Sequence, residues 1–222
     1  MTRIVDLSRP TETGMPLYPT ICSTYVGTYR GHADTLRPGG VSATHGIIVM
    51  SDHAGTHVDA PVHFNPGGIT IERVPLDIMY GPALAFDFSC KGAGDSIGPE
   101  EVETKFASLR LDPESVKILL FRTGADSLYG KEAYFRHFLD VKPETVIWLL
   151  GHGIKLFGVD ASTIDGEAKA THMLLREREF YHIENLTNLD KLGNSLFTFV
   201  GFPLKLTGAS ASPIRAVAIL SD

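Results

Sequence analysis

The sequence predicts an α/β fold: a single domain over residues 1–222 with a strand-rich centre. Three observations predict it. Short apolar runs rich in Val, Ile and Phe recur along the chain between turn residues, as core strands do. Stretches of good helix formers fall between them. Hydrophobic residues make up 43% of the 222, enough for a real core, and the richest Gly/Pro stretch, Pro38-Gly39-Gly40, is too short to separate domains.

In chain order, strands are expected at Ile4-Val5, Gly46 to Met50, Ala83 to Phe88, Val116 to Phe121, Leu156 to Val159, Leu196 to Val200 and Ala216 to Leu220. The first expected helix is Pro99 to Leu109, where a proline in the first turn is followed by acidic residues. Lys131 to Leu139 is the second. Pro143 to Leu150 is the third, ending at the glycine stop Gly151-His152-Gly153, although Val146-Ile147 would also suit a strand. Ala168 to Arg178 is the fourth. Lys91-Gly92-Ala93-Gly94-Asp95 reads as a surface turn.

Composition excludes several classes. A net charge of −6 without any basic run gives no footprint for nucleic acid or for an anionic membrane surface. No run reaches transmembrane length and the N-terminus lacks a signal-peptide core, so a cytoplasmic protein is expected. Asn185-Leu186-Thr187 is then a chance sequon. Cys22 and Cys90 form neither a disulfide framework nor a thiolate zinc site and read as small buried hydrophobes. No Gly-x-Ser-x-Gly elbow, Gly-x-Gly-x-x-Gly or Walker A loop occurs. Ser210 and Ser212 read as loop residues.

The chemistry is concentrated in His53-Ala54-Gly55-Thr56-His57-Val58-Asp59-Ala60-Pro61-Val62-His63. Imidazole and carboxylate bind a divalent transition metal without thiolates. The stretch leaves the apolar run Gly46 to Met50. Gly55, the β-branched Thr56 and Val58, and Pro61 disfavour a helix, so a turn and an extended segment are expected. His57, Asp59, Pro61 and His63 would then share one face, with His53 folding back across Gly55. Two imidazoles and a carboxylate make an open site for Zn or Mn that lowers the pKa of bound water toward roughly 7. Asp59 has a second oxygen with which to bridge to another ion. His63 is placed to act as general base and acid. His32, His45, His137, His152 and His182 read instead as ordinary surface or hydrogen-bonded histidines, with His152 at a helix end. Asp160 reads either as an outer partner of a ligand imidazole or as a strand-end cap.

The stretch from His53 to His63, followed by Phe64, resembles the HxGTHxDxPxH signature of the metal-dependent cyclase family, which includes bacterial kynurenine formamidases and isatin hydrolases. The resemblance extends over nearly the whole chain. It covers Asp6-Leu7-Ser8, Met15-Pro16-Leu17-Tyr18-Pro19, Arg122-Thr123-Gly124, Gly158-Val159-Asp160 and the segment Phe202 to Ala216. It implies a swivelling β/β/α-type domain that associates as a homodimer or homotetramer. It implies that His53, His57 and Asp59 hold a first ion, that Asp59 bridges, and that His63 moves the proton. It further implies that His172 and Glu184, twelve apart and with Glu184 in a Glu-Asn-Leu setting, complete a second site. Taken alone, those two residues read as solvated. The formamidases use two zinc ions and the isatin hydrolases one manganese, so metal number and identity stay open. Where formamidases carry Val-Trp-Pro-Gly-Asp, this chain has Leu17-Tyr18-Pro19-Thr20-Ile21. Tyr18 keeps an aromatic ring to stack on an aryl substrate. The absent Gly-Asp pair leaves formylkynurenine itself open. Tyr29 to Gly40 resembles an insertion that shapes the pocket or a subunit contact.

The expected activity is metal-dependent hydrolysis of a C–N bond in an N-formyl aryl amide or a cyclic amide. A lactone or dienelactone hydrolase, or a ring-closing cyclase, would use the same site. A metal-dependent ligand-binding protein without turnover is the alternative outside the enzymes, and it would have no need of the proton relay at His63.

Overall fold

The computed structural model describes residues 2–166, 169–176 and 178–221. The strands are β1 (Thr2–Asp6), β2 (Tyr25–Arg30), β3 (His45–Val49), β4 (His57–Asp59), β5 (Tyr80–Asp87), β6 (Ser96–Ile97), β7 (Ile118–Arg122), β8 (Asp140–Val141), β9 (Leu156–Val159), β10 (Tyr181–Glu184), β11 (Phe197–Val200), β12 (Ala211–Pro213) and β13 (Val217–Ser221). The helices are α1 (His32–Thr35), α2 (Pro99–Leu109), α3 (Pro143–Gly151) and α4 (Ala170–Leu175). A nine-stranded sheet in the order β1-β13-β11-β5-β7-β9-β10-β4-β12 forms the centre. Its middle, β5-β7-β9-β10, is parallel and its flanks are antiparallel. The mixed α/β class with a strand-rich centre is the one the sequence predicts.

Strand alternation divides the core into two. Ile118 and Leu120 of β7 face one side with Ile183, Phe197 and Phe199. Leu119 and Phe121 face the other, where Phe106 of α2 and Val146 and Leu149 of α3 cover the sheet. Parallel strands buried on both faces read as apolar runs, which is why Ala83 to Phe86 and Ile118 to Phe121 stand out within the expected strands. Among the described residues, strands β2 and β3 pair only with each other, and their Tyr25, Tyr29, Ile48 and Val49 are exposed. No helix among the described residues is long and apolar enough to cross a membrane.

Several local expectations are corrected. Lys131 to Leu139 forms only a 3₁₀ segment, Glu132–Arg136, because Tyr134 is drawn inward to donate its hydroxyl to Asn185 Oδ1 at 2.7 Å. The fourth helix is shorter than expected, and Ala168 and Glu177 of that stretch lie outside the described residues. Val146-Ile147 lies within α3. Cys22 and Cys90 are both exposed, because Cys22 lies in the irregular segment before β2 and Cys90 in the turn after β5, outside the core strands.

Gly68 secures the segment that carries His63. A Cβ there would lie 2.6 Å from the Pro61 carbonyl carbon and 2.7 Å from Val62 N, so the backbones touch where only glycine fits. Gly68→Ala should lower the unfolding free energy by about 1–3 kcal/mol, read from the midpoint of urea denaturation. An unchanged midpoint would contradict this close approach.

Candidate metal centre

β4 lies between β10 and β12, in the interior of the sheet. Its register sets His57 opposite Glu184 and Asp59 opposite Ala211. His57 and Asp59 alternate with Val58, so both point to one face while Val58 enters the core. Before the strand, Gly55 adopts φ +65, a left-handed turn that glycine enters freely. That turn returns His53 to the same face, as the sequence requires. After Asp59 the chain does not stay extended. Pro61–His63 forms one 3₁₀ turn, for which the fixed φ of proline is suited. The turn still leaves His63 Nε2 3.8 Å from Asp59 Oδ2.

Asp59 is the meeting point. Its Oδ1 lies 3.0 Å from His53 Nδ1 and 3.3 Å from His57 Nε2. Its Oδ2 lies 3.2 Å from His182 Nε2. Glu184 Oε2 lies 3.7 Å from His57 Nε2, while its Oε1 lies 3.6 Å from His182 Nε2 and 4.0 Å from His172 Nε2. The donors therefore form two adjoining groups, His53-His57-Asp59 and His172-His182-Glu184. All five residues named for metal binding by the sequence are brought together here.

The sequence reading of His182 as an ordinary histidine is corrected. It is buried and shares a strand face with Glu184, which stands two residues on. That period-two spacing next to an expected ligand was the signal available in the sequence.

Outer partners orient the imidazoles. The Gly55 carbonyl accepts from His57 Nδ1 at 2.9 Å, which leaves Nε2 to face the site. Asp165 Oδ1 accepts from His172 Nδ1 at 2.5 Å, and Asp165 Oδ2 accepts from the backbone N–H groups of Thr171 and His172. His53 Nε2 meets Ser210 Oγ at 3.1 Å, and that hydroxyl donates to Asp52 Oδ2 at 2.9 Å. Ser210 is thus more than a loop residue. Each arrangement ties one ring nitrogen and presents the other inward, as metal-bound histidines are held. Asp160 does not take part. It accepts from Thr123 N at 2.7 Å and Gly124 N at 3.0 Å, the strand-end cap rather than the outer partner of an imidazole.

Electrostatics fit the same picture. Burial works against the Asp59 carboxylate, yet His182, His53 and His57 hold its pKa well below the usual range. Burial also opposes charge on His182, but Asp59 and Glu184 raise it to about 10. Burial pushes His63 down to about 4, so its imidazole is neutral near pH 7. Asp59 Oδ1 and His182 Nε2 are buried and have no hydrogen-bond partner. Such atoms are costly unless something else satisfies them. A nitrogen and oxygen donor set of this kind suits a divalent cation.

The site opens into a cavity of about 290 Å³. His63, Phe64 and Lys169 line it beside the donors, and Tyr18 and Phe135 stand across its mouth with ring centroids 6.2 Å apart, edge to face. Lys169 Nζ donates to Thr163 Oγ1 at 3.0 Å and lies 3.3 Å from Asp165 Oδ1.

Comparison with known proteins follows the same lines. The family model described as "Putative cyclase" matches residues 5–166. A kynurenine formamidase of Paracidovorax citrulli (strain AAC00-1) is 33% identical over 223 aligned residues, covering 96% of this chain and 94% of the relative. A structure described as a potential metal-dependent hydrolase with cyclase activity is 27% identical, has a TM-score of 0.76, and covers 100% of both chains. Isatin hydrolase A from Labrenzia aggregata superposes with a TM-score of 0.86 over 100% of this chain and 94% of its own, at 23% identity, which is a likeness of fold.

Asp165→Asn would set an amide against His172 Nδ1 in place of a carboxylate. Zn²⁺ affinity measured by competition with a chromophoric chelator should weaken by about 10–100-fold. An unchanged affinity would show that Asp165 has no part in orienting His172.

Proposed function

The chain belongs to the cyclase family as a metal-dependent hydrolase, and we propose that its reaction is cleavage of the C–N bond of an N-formyl aryl amide or a cyclic amide of the isatin kind. One observation carries this reading: His53, His57, Asp59, His172 and Glu184 converge beneath a small cavity with His63 at its wall. His53, His57 and Asp59 would hold a first Zn²⁺; Asp59, His172 and Glu184 would hold a second, with Mn²⁺ an alternative occupant. Such cations, when bound, supply Lewis acidity toward a carbonyl oxygen and lower the pKa of water.

The protein's own groups do the rest. Tyr18 and Phe135 present aromatic rings to an aryl substrate at the cavity mouth. Neutral His63 takes a proton as water adds to the carbonyl carbon, and returns it to the nitrogen as the C–N bond breaks. The products are a carboxylic acid and an amine, joined in one molecule when the substrate is cyclic. The N-formyl reading draws support from the 33% identical relative, a kynurenine formamidase. The exposed apolar arm of β2 and β3 supports self-association as a homodimer or homotetramer, since an isolated two-stranded hairpin is marginal in water.

Metal content and turnover of an alanine series test the reading. His57→Ala and Asp59→Ala should lose both metal and activity. His63→Ala should keep its metal while kcat falls by about 10²–10⁴. Full metal and full activity in either of the first two variants would refute the site. Assay of N-formylkynurenine, isatin and an aryl lactone tests the substrate class, and turnover of the lactone alone would overturn amide cleavage.

A further inference from the structure

His182 is buried at the back of the centre rather than on the wall of the main cavity. Phe157 stacks on its ring, with centroids 6.0 Å apart and planes 29° apart. Phe180 and Leu175 close a small space beside it that also touches Asp59. Its Nε2 is buried, lies 3.2 Å from Asp59 Oδ2 and 3.6 Å from Glu184 Oε1, and makes no hydrogen bond to either. Donors about 2.1 Å from a tetrahedral ion stand roughly 3.4 Å from one another, and these separations bracket that edge. His172 Nε2 completes the group, 4.0 Å from Glu184 Oε1.

We propose that His182 is itself a ligand of the second cation, which then has four protein donors: Asp59 Oδ2, His172 Nε2, His182 Nε2 and Glu184 Oε1. The first cation has three, His53 Nδ1, His57 Nε2 and Asp59 Oδ1; these residues line the main cavity together with His172 and Glu184, and His182 alone among the donors lies outside it. Four protein donors close a site and three leave it open. The second cation is therefore the tightly held one, its coordination filled by the protein, and the first is the exchangeable one that meets substrate. This assignment rests on the two-cation reading given above.

Metal-free protein titrated with Co²⁺, followed by visible absorption and elemental analysis, tests it. In the wild type the first equivalent should give the intense absorption of four-coordinate cobalt, and the second equivalent should be the one a chelator removes first. In His182→Gln and His182→Leu the affinity of the tight site should fall by more than 100-fold, beyond the roughly 10–100-fold that an outer partner costs, and the intense band should disappear. Retention of the band, or a smaller loss of affinity, would make His182 only a positioning partner of Asp59 and overturn the proposal while leaving two cations in place. A wild type that saturates at one cation would overturn the two-cation reading together with the proposal. Should neither variant fold, the wild-type spectrum decides alone, because weak absorption throughout the titration excludes a closed four-donor site.

Discussion

Asp59 is a buried carboxylate with imidazoles on both of its oxygens. Burying such a charge is costly unless it is matched closely by opposite charge or by a coordinated ion. Everything around the centre follows from that constraint. The two oxygens divide the surrounding donors into two groups, and every donor must be held firmly enough to keep the carboxylate compensated.

The fold supplies that firmness by placing the donors on elements with little freedom. β4 is hydrogen-bonded on both sides, by β10 and by β12, so His57, Asp59 and Glu184 are fixed by strand register. His172 comes from the short helix α4, which is tied down where Asp165 accepts the Thr171 and His172 N–H groups. His53 arrives across the Gly55 turn and is held by the Ser210–Asp52 pair. His63, by contrast, sits on a 3₁₀ turn at the cavity wall, half-exposed and clear of the tightest contacts. The arrangement sets the firmly held donor atoms apart from the less buried imidazole of His63.

Much of this was legible in the sequence. The parallel strands β5, β7 and β9 were visible because burial on both faces leaves few polar residues to interrupt the run, as in Ile118 to Phe121. β10 was hidden for the opposite reason: Tyr181-His182-Ile183-Glu184 spends alternate positions on the centre and so lacks an apolar signature. β2 was hidden because Tyr25 to Arg30 has no buried face to impose alternation. The donors His53, His57 and Asp59 were legible from local density alone. His172 and Glu184 needed the family resemblance, because α4 and β10 lie more than a hundred residues along the chain from the motif and meet it only once the chain is folded. Asp165 emerged only from the three-dimensional arrangement, and for His182 the one local sign was its period-two spacing from Glu184.

The most direct measurement is anomalous X-ray scattering at a metal absorption edge from crystals of the purified wild-type protein. A strong peak is expected between His53 Nδ1, His57 Nε2 and Asp59 Oδ1, with a second between Asp59 Oδ2, His172 and Glu184. Crystals grown with divalent metal that show no anomalous peak, and the imidazoles closed onto the Asp59 carboxylate by plain hydrogen bonds, would contradict that expectation.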